Sequence, residues 1–441
     1  MYKQFSYKEN RTVLCLLAVL ILFWHSTIVA ETSNSVVGTE SLSQKQLVEW
    51  VLERNPGLEQ LQAAIDEAAS RIVPAGSLDD LQLSYAFAPE TIDGFRRADG
   101  MARGFNQRIE LTQSIPWPGT LDIREEQARS KVTAADQILS DRRLQIISSI
   151  KTGFAEWYYV HRAMQVNKEN QELLLQLRHV AEAQYAAGRA AQQDALQAEV
   201  EHAVLQDQAL ALQRERRSIQ AQLNALIDRP AHYVLPPPGK SPGQSIPPSS
   251  EELQQIAIAS HPLLKQIEAN LEVNEASISL AENKYYPDFK LFAGYNSLWD
   301  EDDKRLLIGV SINLPLDQSK RSAAVSAARA GRMNTHWQLV DRRNQILAEI
   351  ESSHAEVVES FDAIALYRNR LVPLAEENLA AAVADYRAGA GDFLNVITAE
   401  KQKLKTQLRL ERAYANYIRR LAQLERWTGS SMPLKDITQL R

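Results

Sequence analysis

No proline occurs between Gly119 and Arg229, and Gly153 is the only glycine between Thr120 and Ala187. Proline removes a backbone donor and glycine costs backbone entropy, so these two residues are the usual breaks in a helix. Their absence over 68 residues predicts a single rod roughly 100 Å long at about 1.5 Å per residue. A globular domain cannot house such a rod, which suits a coiled coil or a helical tube. Gly188 breaks it, and a second helix returns through Leu196, Val200, Leu210, Leu223 and Leu226. Glycine is scarce along the whole chain, 17 of 441 residues, which disfavours glycine-rich catalytic loops.

The pattern is written twice. Ser43-Gln44-Lys45-Gln46 opens a helix with the reciprocal capping pattern of Ser and Gln, and Ser249-Ser250-Glu251-Glu252 does so again 206 residues later. Asn55-Pro56 matches His261-Pro262 at the same offset. Ile115-Pro116 matches Leu314-Pro315, Tyr185-Ala186-Ala187-Gly188 matches Tyr386-Arg387-Ala388-Gly389, and Ala198-Glu199 matches Ala399-Glu400. Each unit reads as a capped helix (43–73, then 250–285), two strands, a long rod and a returning helix. The second rod runs from Asp317 to Ala388, turns at Gly389 and Gly391, and returns to Trp427. Alanine-rich stretches such as Ala380-Ala381-Ala382 let neighbouring helices approach closely. Between the units, Arg229 to Pro248 holds seven of the 17 prolines and reads as a stiff extended linker.

The strands alternate. Leu81, Leu83, Tyr85 and Phe87 share one face, as do Ile109, Leu111 and Ile115, with Gln113 an imperfection. Phe289, Leu291, Ala293 and Tyr295 form a third such set, and Leu306, Ile308, Val310, Ile312 and Leu314 a fourth. Phe105, Trp117, Tyr285, Tyr286 and Trp299 gather near their ends, as in an interfacial girdle. Segments of about 9–11 residues with this period suit a transmembrane β-strand; a soluble sheet packed on a core is the other reading. A sheet in hydrocarbon must close on itself, and four strands are too few, since barrels begin at about eight. In the membrane reading the chain therefore assembles with copies of itself.

Lys3, Lys8 and Arg11 precede an apolar run from Val13 to Trp24, followed by Ile28-Val29-Ala30, the pattern of a cleavable export signal over 1–30. The run is too short to span a bilayer as a helix. The one cysteine, Cys15, lies inside it and follows Leu14, an arrangement unsuited to lipidation. Removal of this segment leaves a mature chain near −8, from −6 for the full sequence, with no cysteine. A near-balanced, slightly acidic chain suits no nucleic-acid partner.

The duplicated plan, the Xaa-Pro start of each unit, the proline after the second strand and the Tyr-x-x-Gly hairpin with Ala-Glu beyond it resemble the TolC-like outer membrane factor family over about residues 41–430. Gln113-Ser114-Ile115-Pro116-Trp117-Pro118-Gly119 is similar to the CzcC-like branch associated with heavy-metal efflux, although Thr120 stands where that branch often has Lys. The resemblance implies a mainly α fold with a small transmembrane β portion. Its repeats, 41–228 and 250–430, flank the linker 229–249 and precede a tail, 431–441. It also implies a homotrimer, with a 12-stranded barrel among outer membrane lipids and a periplasmic helical tunnel. The partners it implies are a periplasmic adaptor and an inner-membrane RND pump of a Gram-negative cell.

The resemblance assigns adaptor contact to Tyr185, Gly188, Arg189 and Asp194 in the first hairpin, and to Tyr386, Gly389, Gly391, Asp392, Phe393 and Leu394 in the second. The glycines are equally expected as left-handed helix caps. Asp385 and Arg387 stand near the family's gate, and Pro373, matched by Glu172 in the first unit, is expected to kink the second rod toward the tunnel axis. No catalytic, cofactor or metal site is expected. Gly239-Lys240-Ser241-Pro242-Gly243 fits G-x-S-x-G only in the linker, where no strand-to-helix elbow exists. Eight scattered histidines make no paired motif, and the acidic run Asp300 to Asp303 reads as a solvated hairpin tip. Trp157-Tyr158-Tyr159 reads as helix-packing core. The expected function is a passive exit duct of a tripartite efflux system, with heavy-metal cations as the cargo the branch suggests. A type I secretion duct and a periplasmic coiled-coil scaffold without a pore are the alternatives.

Overall fold

The computed structural model describes residues 41–88, 106–239, 244–297 and 305–430. The expected export signal and tail, Phe105, Trp299, the acidic run and residues 240–243 of the linker lie outside them, as does nearly all of the loop between the first two strands.

Ser43 caps helix α1 (Gln44–Arg54) with the full reciprocal box, its hydroxyl accepting from Gln46 N–H while Gln46 Oε1 accepts from Ser43 N–H. Helix α2 (Pro56–Ser70) follows at once. The single helix expected over 43–73 is therefore broken, and the cause is the Asn55-Pro56 step. Proline pushes the preceding residue out of the helical region, and Asn55 sits extended, accepting from Gly57 N–H at 3.0 Å and donating to Leu226 O at 2.8 Å. After the short α3 (Ile72–Gly76) come β1 (Gln82–Ala88) and β2 (Asn106–Ile115), then α4 (Thr120–Ala186) and α5 (Gln192–Leu226).

Residues 250–428 follow a similar order. Helices α6 (Ser250–Ser260) and α7 (Pro262–Asn283) break at His261-Pro262, where the helix expected over 250–285 also fails as one piece. His261 Nδ1 accepts from Leu263 N–H at 3.2 Å, the same cap that Asn55 supplies. Then come β3 (Phe289–Asn296), β4 (Leu306–Ile312), α8 (Gln318–Leu366), a π-helical turn (Tyr367–Leu371), α9 (Val372–Ala388) and α10 (Phe393–Thr428).

The first rod is unbroken for 67 residues, about 100 Å at 1.5 Å per residue. The second, expected to run through from Asp317, is interrupted by the π turn, in which Val372 N–H reaches back five residues to Tyr367 O. Proline cannot donate a helical hydrogen bond and its ring crowds the carbonyl four residues earlier. A wider turn just before Pro373 relieves that clash. Gly153, the lone glycine of α4, lies against α5, where an added Cβ would come within 2.6 Å of a Leu223 methyl. Packing, not flexibility, keeps glycine there.

Three apolar clusters hold the helices. One joins α1 to α4 and α5 through Leu47, Val51, Ile150, Trp157 and Leu223. A second gathers Leu253, Leu264, Ile350, Val357 and Tyr417. The third, toward the hairpin ends, joins both long hairpins through Leu174, Leu177, Leu205, Leu379, Phe393 and Val396. Trp157 is among the most buried side chains, and its indole N–H donates to Pro236 O at 3.1 Å. The expected linker is extended but clasped. Leu42 N–H donates to Pro237 O, and the Tyr417 hydroxyl both receives from Ser245 N–H and donates to Ser245 O.

Candidate functional site

The strands form one antiparallel sheet in the order β1-β2-β3-β4. Its register places Leu83, Leu111, Ala293 and Ile308 in one cross-strand row and Tyr85, Ile109, Tyr295 and Leu306 in the next. Every apolar residue predicted to share a face does so within the described strands. That face is bare: Ile308 is 86% exposed and Leu83 71%. The opposite face carries Gln82, Ser84, Arg108, Glu110, Thr112, Lys290 and Ser311, with Arg108 and Glu110 paired. Gln113, the polar intruder on the apolar face, turns its amide away to donate to Asp79 O at 2.7 Å. Where strands hand over to helices, Trp117 stacks on Tyr286 at 4.6 Å. Neither outer edge, of β1 or of β4, has a partner strand among the described residues.

At the other end of the rods the two hairpin turns meet. Gly188 (φ 69°) and Gly389 (φ 74°) both adopt the left-handed conformation that ends a helix. Arg189 N–H then bonds Gln184 O, and Ala390 N–H bonds Asp385 O, each at 2.9 Å. Asp194, in the first turn of α5, accepts a 2.8 Å hydrogen bond from the Tyr386 hydroxyl of α9. Gln184 Nε2 donates to Arg387 O at 3.1 Å, a second bond across the hairpins. Tyr386 packs on Phe393, ring centroids 5.1 Å apart. Burial, then the Asp194 carboxylate, raises the Tyr386 hydroxyl above its ordinary pKa, so it donates throughout the neutral range.

Most of the expected tip residues come together. Arg189, Asp194, Tyr386, Gly389, Gly391, Asp392, Phe393 and Leu394 line one groove of about 960 Å³. Gly188 shapes the turn beside it. The matched tyrosines differ: Tyr386 is 6% exposed, Tyr185 50%. The side chains of Asp385 and Arg387 are exposed and make no ion pair among the described residues. Pro373, also exposed, sits far from this groove in sequence and beside the π turn. There Arg368 donates to Tyr414 Oη at 2.7 Å and to Gln244 Oε1 of the linker at 3.3 Å.

One residue escaped the sequence reading. Glu400, two turns into α10, is 2% exposed and its Oε1 has no hydrogen-bond partner. Burial first, then Glu201 across on α5, pushes its carboxyl up to about 7, while Lys403 and Lys401 pull the other way. Lys401 itself is held by Glu201 at 2.6 Å. The repeated Ala-Glu pair marked the position; nothing local to it signals burial. No group of three or more His, Cys, Asp or Glu able to hold a metal occurs among the described residues, and none of their helices is long and apolar enough to cross a membrane.

Residues 253–430 match the outer membrane efflux protein family. Nodulation protein T of Rhizobium leguminosarum bv. trifolii is 21% identical over 399 residues, covering 87% of this chain and 84% of that protein. The cobalt-zinc-cadmium resistance protein CzcC of Cupriavidus metallidurans is 24% identical over 228 residues, 51% of this chain and 53% of that one. Among solved structures, the outer-membrane channel OprN superposes with a TM-score of 0.76 at 18% identity, covering 88% of this chain and 90% of its own. The second unit thus matches the outer membrane efflux protein family, and the chain as a whole shares the fold of a solved outer-membrane channel.

Proposed function

We propose that the protein is the outer membrane exit duct of a tripartite efflux system, conducting cargo passively from periplasm to exterior and catalysing no reaction. The observation that carries this is the sheet: one face apolar and bare, the other polar, neither edge joined to a further strand among the described residues, and continuous with helical rods. An open apolar sheet is untenable in lipid. Strands β1 and β4 run in opposite directions, so β4 of one copy can pair antiparallel with β1 of the next. Three copies, the number the family resemblance implies, give twelve strands.

In this reading the units 41–228 and 250–430 arise by duplication, 229–249 clasps them, and 1–30 directs export to the outer membrane. The groove at the hairpin ends receives a periplasmic adaptor, which connects the duct to an inner-membrane pump. The Tyr386–Asp194 bond fastens the two hairpins of one copy in the closed state, with Asp385 and Arg387 turned outward for a neighbouring copy. Pro373 and its π turn form the bend in the second hairpin. Heavy-metal cations as cargo rest on the likeness to CzcC, which spans half of the chain.

The test is reconstitution. Protein purified from outer membranes is expected to migrate as a heat-dissociable oligomer and to give ion-conducting channels in planar bilayers. Recovery as a soluble periplasmic protein with no channel activity sinks the reading. A deletion strain challenged with metals and drugs identifies the cargo.

A further inference from the structure

Phe292 is the one aromatic residue on the polar face of the described strands. It stands in the row Gln82–Thr112–Phe292–Gly309. Gly309 lacks the side chain every other strand residue of that row would present. A Cβ built there would lie 2.4 Å from Phe292 Cζ and 2.9 and 3.0 Å from its two Cε atoms. The far edge of the ring therefore occupies the space directly above the neighbouring backbone. Adjacent strands are about 4.8 Å apart, so a ring reaching that far sideways lies along the sheet instead of standing off it. Its next neighbour along β3 on the same face is another glycine, Gly294. Phe292 is half-buried, and so are Thr112 and Gly309 on either side of it in the row, as a ring pressed to the wall requires.

We infer that Gly309 is a lumen-width residue: it gives the Phe292 ring a place to lie flat, and so keeps an aromatic side chain out of the conduction path. The inference rests on the duct reading, in which the polar face lines the pore. Twelve strands about 4.8 Å apart and tilted about 40° enclose a backbone radius of roughly 12 Å. A side chain standing off a sheet takes about 5 Å, half the spacing of packed sheets. Rings raised at one height in every copy would remove a large part of that radius, whereas rings laid flat remove little. Conductance to bulky cargo is thereby set at this row by the absence of a side chain.

The experiment uses the full-length protein in planar bilayers, with polyethylene glycols of graded mass added on the strand side. Entry from that side reports the barrel whatever the state of the hairpin tips. Gly309→Val is expected to lower the largest polymer mass that enters by about twofold, and Ser311→Val, which adds bulk on the same face and strand, to leave it unchanged. Phe292→Ala in the Gly309→Val background restores the wild-type limit. Phe292→Ala alone changes it little, because the flat ring already clears the path; this variant keeps the test sound if Gly309→Val fails to assemble. A Gly309→Val limit equal to that of Ser311→Val, or marked widening by Phe292→Ala alone, overturns the inference. A wild-type protein that forms no channel overturns the duct reading, and the inference with it.

Discussion

Replacing Tyr386 by Phe removes one hydroxyl and keeps the ring against Phe393, so it isolates the bond between the hairpins. Hydrogen bonds to a charged partner are worth about 1.5–3 kcal/mol. Asp194 is only half-buried and water can replace the lost donor, which puts this bond at the low end, near 1.5 kcal/mol. If the bond exists only in the closed state, its loss shifts the closed-to-open ratio about tenfold per copy. When three copies open together the factor approaches a thousandfold. The assay is open probability in planar bilayers for the wild type, Tyr386→Phe, Asp194→Asn and the double variant. Because the two side chains act through one bond, the double variant should match the stronger single one. An unchanged open probability for Tyr386→Phe, or fully additive effects, would refute the assignment of this bond to the closed state.

Other outcomes follow from the same geometry. Glu400 keeps its proton to about pH 7 in the folded protein, so between its ordinary range and pH 7 the folded chain binds more protons than the unfolded one. Stability therefore falls as pH rises through that window, by at most about 3 kcal/mol for a shift of this size. Glu400→Gln should be more stable than the wild type at pH 8, equal to it at pH 4, and lack the slope in denaturant titrations. Ile308→Lys, on the bare face, should be harmless in a soluble protein but cost about 2–4 kcal/mol if that face meets the bilayer centre; yield of assembled protein in outer membranes decides between them. Gly153→Val forces a branched side chain against Leu223 and should destabilise the chain by about 1–3 kcal/mol in thermal unfolding, although it replaces the weakest helix former in the rod.

The sequence announces most of the framework because the governing signals are local. Missing prolines and glycines define α4 within a residue at each end, and the alternation of Leu83, Tyr85, Ile109, Ile308 and Val310 defines the two faces. What it hides depends on partners far along the chain. Asn55 and His261 look like the start of a unit, yet each ends one helix and caps the next, because the following proline forbids continuation. The π turn answers a clash between Pro373 and the preceding turn that a proline in a long apolar pattern does not by itself specify. Tyr386 and Asp194 are 192 residues apart and meet only when the hairpins align. Glu400 and its exposed equivalent Glu199 carry the same local pattern, and only the packing of α10 on the first hairpin makes the former a buried carboxyl.

The claim that the sheet is completed by other copies has a direct test, because the only natural cysteine, Cys15, lies in the expected export signal and is replaced by serine in the variants used. Within one copy β1 and β4 are separated by two strands, about 14 Å at the usual spacing, beyond the reach of a disulfide. A cysteine at Leu83 combined in turn with one at Leu306, Ile308, Val310 or Ile312 can therefore link only different copies. The account predicts that at least one pairing, oxidised in intact outer membranes, yields a covalent ladder that stops at three chains. Monomers at every pairing would contradict it.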